Sequence, residues 1–216
     1  MKTTLPLAAL AGLALTASAT AAVIIIPTGA TSTTTIGGSR TIGATIDSSD
    51  LSGGGTSGDI PAETHQVNND SAGYWLSGSG AVSGSEVLTF DLGGTFDLTD
   101  IHHWGYSRTG PETDRALKTF DIYVSTNGGS TYSLGVAAAT LGDFAEPAVG
   151  DLPAVTKTFA TQSGVTHIEL RNLVNHGDAS FYGLSEIRFG GEVVPEPTTT
   201  ALLGLGGLAL ILRRRK

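Results

Sequence analysis

Short alternations of apolar and polar residues fill the middle of this chain. Residues 86–92 place Leu88, Phe90 and Leu92 on one side, the period-two pattern of a half-buried strand. Residues 117–125 repeat it, with Phe120, Ile122 and Val124 inward and Asp121 and Tyr123 outward. Gly93-Gly94 reads as a turn into a strand over 98–106, and Asn127-Gly128-Gly129 as a hairpin turn into 131–136. Residues 138–153 read as a long loop, followed by strands over 155–160, 165–170 and 184–189. A first strand is expected over 41–46, a Ser/Gly/Asp loop over 47–59, and a turn over 68–73 before Tyr74-Trp75. No amphipathic helical pattern connects these strands, so the expected fold is all-β, an antiparallel sandwich of about eight strands.

The two ends do not follow this pattern. Lys2, the apolar residues 5–15 and the small residues 17–22 read as a secretory signal peptide over 1–22. Residues 23–40, apolar and then rich in Thr, Ser and Gly, read as a flexible lead-in, which leaves 41–191 as the domain. The far end, 192–216, carries Pro195-Glu196-Pro197, an apolar run over 201–212, and Arg213-Arg214-Arg215-Lys216. The prolines stop any upstream helix. The apolar run is shorter than the roughly 20 residues of an ordinary span. The four cations hold the terminus on the cytoplasmic side and the domain on the outer side.

This tail resembles the PEP-CTERM sorting signal of Gram-negative bacteria in Val194-Pro195-Glu196-Pro197, the short apolar helix and the terminal Arg cluster. The resemblance implies a short C-terminal transmembrane helix, recognition by an exosortase-type membrane protease, and removal of the tail near Pro195-Glu196-Pro197. An ordinary single-pass anchor is the alternative, but it needs a longer span and has no use for the Pro-Glu-Pro.

Composition sharpens this picture. The chain has 216 residues, no cysteine and a formal charge of -8. Thiol chemistry and cysteine-based metal sites are therefore excluded. Lys2 and the terminal cations are five of the 12 basic residues, so the exported part keeps seven against 20 acidic residues, a net of -13. Such a surface repels nucleic acid and anionic lipid.

The order of the pieces resembles the discoidin-type, galactose-binding-like jelly roll shared with many carbohydrate-binding modules. The matching stretches are Pro61-Ala62 through Val67-Asn68-Asn69-Asp70 to Tyr74-Trp75, Leu88-Thr89-Phe90-Asp91-Leu92-Gly93, Phe120-Asp121-Ile122-Tyr123-Val124-Ser125 with Gly128-Gly129, and Gly183-Leu184-Ser185-Glu186-Ile187-Arg188-Phe189. In that family a structural calcium often sits between the turn before the first Trp and the closing strand. The resemblance places it at Asn68, Asp70 and Glu186, with turn carbonyls completing the shell. The alternative is that Asn68 and Asp70 form a turn and Glu186 is an outward strand residue.

The remaining chemistry is sparse. His102 and His103 are adjacent on a strand, point to opposite faces and cannot share an ion. No G-x-S-x-G elbow, P-loop or dinucleotide fingerprint is present. Trp75 reads as core. Trp104, Tyr106 and Arg108 run into one loop, and Asn175-His176-Gly177-Asp178 lies in another. Sugar sites combine ring faces with polar partners, so Trp104, Tyr106, Arg108 and His176 are the expected ligand residues; packing of Trp104 and Phe181, the latter in the last long loop, at the sandwich end is the competing expectation. The chain thus reads as a non-enzymatic exported protein, held transiently in the inner membrane and then found at the cell surface or outside it. Its expected partners are the exosortase and extracellular polysaccharide, with no nucleic acid. A purely structural extracellular protein is the alternative, and a hydrolase has the least support.

Overall fold

The computed structural model describes residues 22–55, 62–67, 73–80, 84–106, 108 and 110–195. The signal-peptide and apolar-tail expectations fall outside them, as do Asn68, Asp70, Glu196 and Pro197. Among the described residues, no helix is long and apolar enough to cross a membrane.

The strands in chain order are β1 (Val23–Ile25), β2 (Gly29–Ser32), β3 (Thr64–His65), β4 (Trp75–Leu76), β5 (Leu88–Trp104), β6 (Leu117–Ser125), β7 (Ser133–Val136), β8 (Leu152–Pro153), β9 (Val155–Asn175), β10 (Gly183–Leu184) and β11 (Glu186–Val193), with one helical turn, α1 (Ala138–Leu141), before β8. One antiparallel sheet runs β1-β11-β5-β9-β6-β7, with β2 added on β5, and β10-β4 and β3-β8 form two small ribbons.

Two long strands turn this one sheet into a sandwich. The first half of β5 lies between β2 and the Ile168–Leu170 part of β9; its second half lies between β11 and the first residues of β9. The sheet therefore curls over itself, and its inner faces meet. Phe90 of β5 packs edge-on against Phe189 of β11 at 5.9 Å. Leu88, Phe90, Leu92, Phe120, Ile122, Ile168, Leu170, Ile187 and Phe189 fill the space between, all buried. Of these, Leu88, Phe90, Leu92, Phe120 and Ile122 are positions that the alternating pattern predicts to face inward.

Gly93-Gly94 does not end a strand. The pairing of β5 with β9 slips between Asp91 and Phe96, Gly93 adopts φ +71°, and its N–H bonds the Asp91 carboxylate at 2.9 Å. The glycines bend β5 through a bulge, which is what lets one strand serve both leaves. Residues 155–160 and 165–170 likewise join into the single β9.

The lead-in is not flexible where the structure describes it. Val23–Ile25 pairs with β11 and Gly29–Ser32 with β5. Thr34 continues the attachment: its carbonyl accepts the Trp75 indole N–H at 3.1 Å, and its hydroxyl donates to Glu86 at 2.7 Å. Residues 42–45 form a 3-10 turn rather than a strand, because the Thr45 hydroxyl bonds back to the Ile42 carbonyl at 2.7 Å. This turn and the loop after it lie on the outer face of the β11-β5 leaf and bury a second layer there. Trp104, with Leu51, Ile24 and Ala154, is part of that layer.

Candidate functional site

The loop end of the sandwich is built from two segments. One is the 3-10 turn Glu112–Arg115 between β5 and β6. The other is the stretch from Asn175 to Tyr182, between β9 and β10. Backbone bonds join them: the His176 N–H donates to the Asp114 carbonyl at 2.9 Å. Side chains tighten the joint. Arg115 Nε lies 2.9 Å from the Asp178 carboxylate, and its guanidinium stands 4.9 Å over the Phe181 ring. Asp178 also accepts the N–H groups of Ser180 and Phe181, at 2.7 and 2.8 Å. Burial works to raise the Asp178 carboxyl, but the Arg115 guanidinium and those two N–H groups outweigh it and hold it below its ordinary value. Asn175 completes the stretch by donating to the Asp178 and Phe181 carbonyls, both at 2.7 Å.

Of the four expected ligand residues, two belong here and two do not. Arg108 is half-exposed and pairs with Glu112 at 3.1 Å. His176 is partly exposed. Burial lowers its pKa and Lys118 adds to the effect, while Glu146 and Asp143 oppose it, so the balance favours the neutral imidazole. Trp104, in contrast, is 0% exposed. Its indole N–H donates to the Glu63 carbonyl at 2.9 Å, and the residues after the 3-10 turn cover its face. Tyr106 is 1% exposed and lies edge-on against Tyr74 at 4.9 Å. Burial, with Tyr74 nearby, pushes its phenol up to about 12, against the opposing pull of Arg115. Neither ring offers a face to a ligand, and the packing expectation for Trp104 is the correct one. The ring at this end is Phe181. Arg115, Asp178 and Phe181 are not among the expected ligand residues, although the sequence places all three in these same loops. Nothing in sequence spacing distinguishes them from their neighbours.

The histidine pair behaves as strand alternation requires. His102 meets Asp100 at 2.8 Å and Thr156 at 2.8 Å. His103 turns to the other side and packs 4.4 Å from the Phe144 ring. Burial pushes its pKa down to about 3, with His176 and Lys157 adding to the effect.

Glu186 does not fit the calcium expectation. It is 1% exposed, and its carboxylate is engaged by the Arg188 guanidinium two residues along the same face. Arg188 also donates to the Thr45 carbonyl at 3.3 Å and to the Ser48 hydroxyl. A fixed cation thus gathers the carboxylate, carbonyl and hydroxyl oxygens that a divalent ion would need, and a second positive charge beside it is opposed. Among the described residues, no cluster of three or more His, Asp or Glu is arranged to hold a metal.

This β-sandwich has the fold of family 32 carbohydrate-binding modules. The module of NanJ from C. perfringens, solved with galactose, superposes with a TM-score of 0.52 at 16% identity, over 79% of this chain and 99% of that one. A second module from Clostridium perfringens, solved with GalNAc-β-1,3-galactose, gives 0.50 at 16% identity over 76% and 98%. No curated protein matches the chain in sequence. The end of the chain carries a more particular mark: residues 193–216 match the PEP-CTERM protein-sorting motif. That motif implies export and sorting to the cell surface.

Proposed function

We propose that the protein is exported through a signal peptide at 1–22, held briefly in the inner membrane by its apolar tail, and released by an exosortase to the cell surface or the extracellular matrix. There its sandwich binds glycan at the loop end, without catalysis. One observation carries the binding part. Arg115 and Asp178 pair beside the Phe181 ring, and Arg108 and His176 belong to the same two loops, which backbone bonds join at one end of the sandwich. A ring edge, guanidinium donors, a neutral imidazole and a carboxylate are the groups that pair sugar hydroxyls and pack a pyranose face.

The sorting part makes its own prediction. Protein recovered from its host is expected to lack 201–216, because the tail carries the sorting motif. Intact mass spectrometry reads this directly. A mature species that still ends in Arg213-Arg214-Arg215-Lys216 would leave an ordinary anchor.

The binding part is tested at Arg108. Its ion pair with Glu112 is partly exposed, so its loss costs about 0–1 kcal/mol of stability. A bond from a guanidinium to a bound sugar is worth about 1.5–3 kcal/mol. Arg108→Ala is therefore expected to weaken binding to the best ligand of a glycan array by about tenfold while the melting temperature stays near that of the wild type. If the wild type binds no glycan on the array, the loop contacts serve only to close the sandwich, and the purely structural reading replaces this one.

A further inference from the structure

The outer face of the other leaf, where β2, β5 and β9 lie side by side, carries a groove separate from the loop end. Two clefts of about 470 and 350 Å³ adjoin along it and share Thr31 and Thr89. Register explains the shape. Thr31 of β2, Thr89 of β5 and Glu169 of β9 stand side by side, and the next row is Gly29, Asp91 and His167. Short side chains of β5 form the floor. The taller Glu169, Arg171 and His167 form one wall, and Thr31 and Thr33 form the other. Behind the tall wall, Arg171 lies 4.3 Å over the Tyr123 ring and 5.7 Å from Tyr132, which holds the wall upright.

The hydrogen bonds within the face set what it can accept. The Ser32 hydroxyl donates to the Thr34 carbonyl at 2.9 Å, and Thr33 donates to the Val87 carbonyl at 3.3 Å. The Thr89 hydroxyl donates to Glu169 at 3.4 Å. Each hydroxyl has one proton and two lone pairs; the Thr33 oxygen also accepts the Val87 N–H at 3.0 Å, so the three hydroxyls have spent their protons on protein acceptors and each keeps at least one lone pair for a donor. The Asp91 and Glu169 carboxylates are acceptors too. The one strong cation, Arg171, has its Nε committed to Glu169 at 2.6 Å. The lining is thus rich in acceptors and carries no spare positive charge.

We infer that this groove binds a segment of a neutral polysaccharide chain. Such a chain presents hydroxyl donors along its length and no carboxylates or sulfates, which the acceptor-rich lining would repel. The floor from Val87 to Asp91 spans about 13 Å at ~3.3 Å per residue, room for about two or three sugar rings. The clefts lie within the size range of ligand sites. The inference shares its ligand class with the loop-end reading but uses none of its residues.

The test is native affinity electrophoresis of the purified protein through hydroxyethylcellulose and galactomannan, compared with alginate. It is paired with titration of the oligosaccharides of whichever neutral polymer retards most. The wild type is expected to be retarded by at least one neutral polymer more than by alginate, with affinity rising from disaccharide to tetrasaccharide. Thr89→Arg fills the floor, and Thr31→Arg, on an exposed edge position, blocks the opposite wall. Each is expected to remove that rise and to weaken polymer binding at least tenfold, with the melting temperature unchanged. Arg108→Ala, at the loop end, is expected to lower affinity for all lengths alike and to keep the rise, so the two sites fail separately. Stronger retardation by alginate, no retardation by any polymer, or wild-type behaviour in both groove variants would overturn the inference.

Discussion

Replacing Arg188 with alanine is expected to destabilise the protein by about 3–5 kcal/mol at pH 8, because it leaves a buried carboxyl without its cation. Arg188 is 0% exposed. It holds Glu186, the Thr45 carbonyl and the Ser48 hydroxyl, and so fastens the 3-10 turn and its following loop to β11. Burial already pushes the Glu186 carboxyl up to about 8, with Asp47 adding to the rise, while Arg188 and the Ser48 N–H act against it. Without the guanidinium the folded state keeps the proton still more firmly. The unfolded chain releases it near the ordinary 4.5. Above that value the unfolded state binds fewer protons than the folded one, so stability falls as pH rises, by up to about 1.4 kcal/mol per unit. The wild type declines in the same way only up to about 8, so urea unfolding of Arg188→Ala should show a larger deficit at pH 9 than at pH 7, where both proteins keep the proton. The double variant Glu186→Gln with Arg188→Met removes both charges and should recover much of the loss. A deficit that is the same at pH 7 and pH 9 would mean that losing Arg188 leaves the Glu186 proton no more firmly held.

The second large effect lies one register pair away, since Trp104 is opposite Glu186. Trp104→Ala is expected to cost about 3–5 kcal/mol by opening a cavity under the covering loop. Trp104→Phe keeps most of the volume but leaves the Glu63 carbonyl without its indole donor, at about 1–3 kcal/mol. Glycan affinity of the folded Trp104→Phe protein should match the wild type, because the ring faces the covering loop and not solvent. A Trp104→Ala protein of wild-type stability that loses glycan binding would restore the ring to the ligand site.

Both effects sit in the layer that was least legible in the sequence. The inner core was readable, because strand alternation at Leu88, Phe90 and Leu92, or at Phe120, Ile122 and Val124, reports burial on one face directly. The outer layer was not. Glu186 and Arg188 are two residues apart, which reads as a solvated charge pair on the open side of a strand. Their burial depends on the Ser/Gly/Asp-rich segment after residue 45 folding back over them, and such a segment has no apolar period to announce it. Trp104 was ambiguous for the same reason: exposure is a property of what covers a residue. Gly93-Gly94 reads as a turn, whereas its local φ and the close approach of Thr28 make it a bend inside one strand. At the candidate site, Arg108 and His176 were legible as polar residues of the two loops that the structure joins. The link from Arg115 to Asp178 and Phe181 was not, since it joins segments far apart in the chain. The tail needed no folding to be read, because its order of Pro-Glu-Pro, apolar run and cations is linear.

The central claim is that an exported, tail-processed sandwich binds extracellular glycan. The most direct measurement takes the mature protein from its host and runs it in a native gel containing the exopolysaccharide of the same cells. Retarded migration that free oligosaccharide competes away is the predicted result. Migration at the rate of a polysaccharide-free gel would contradict it.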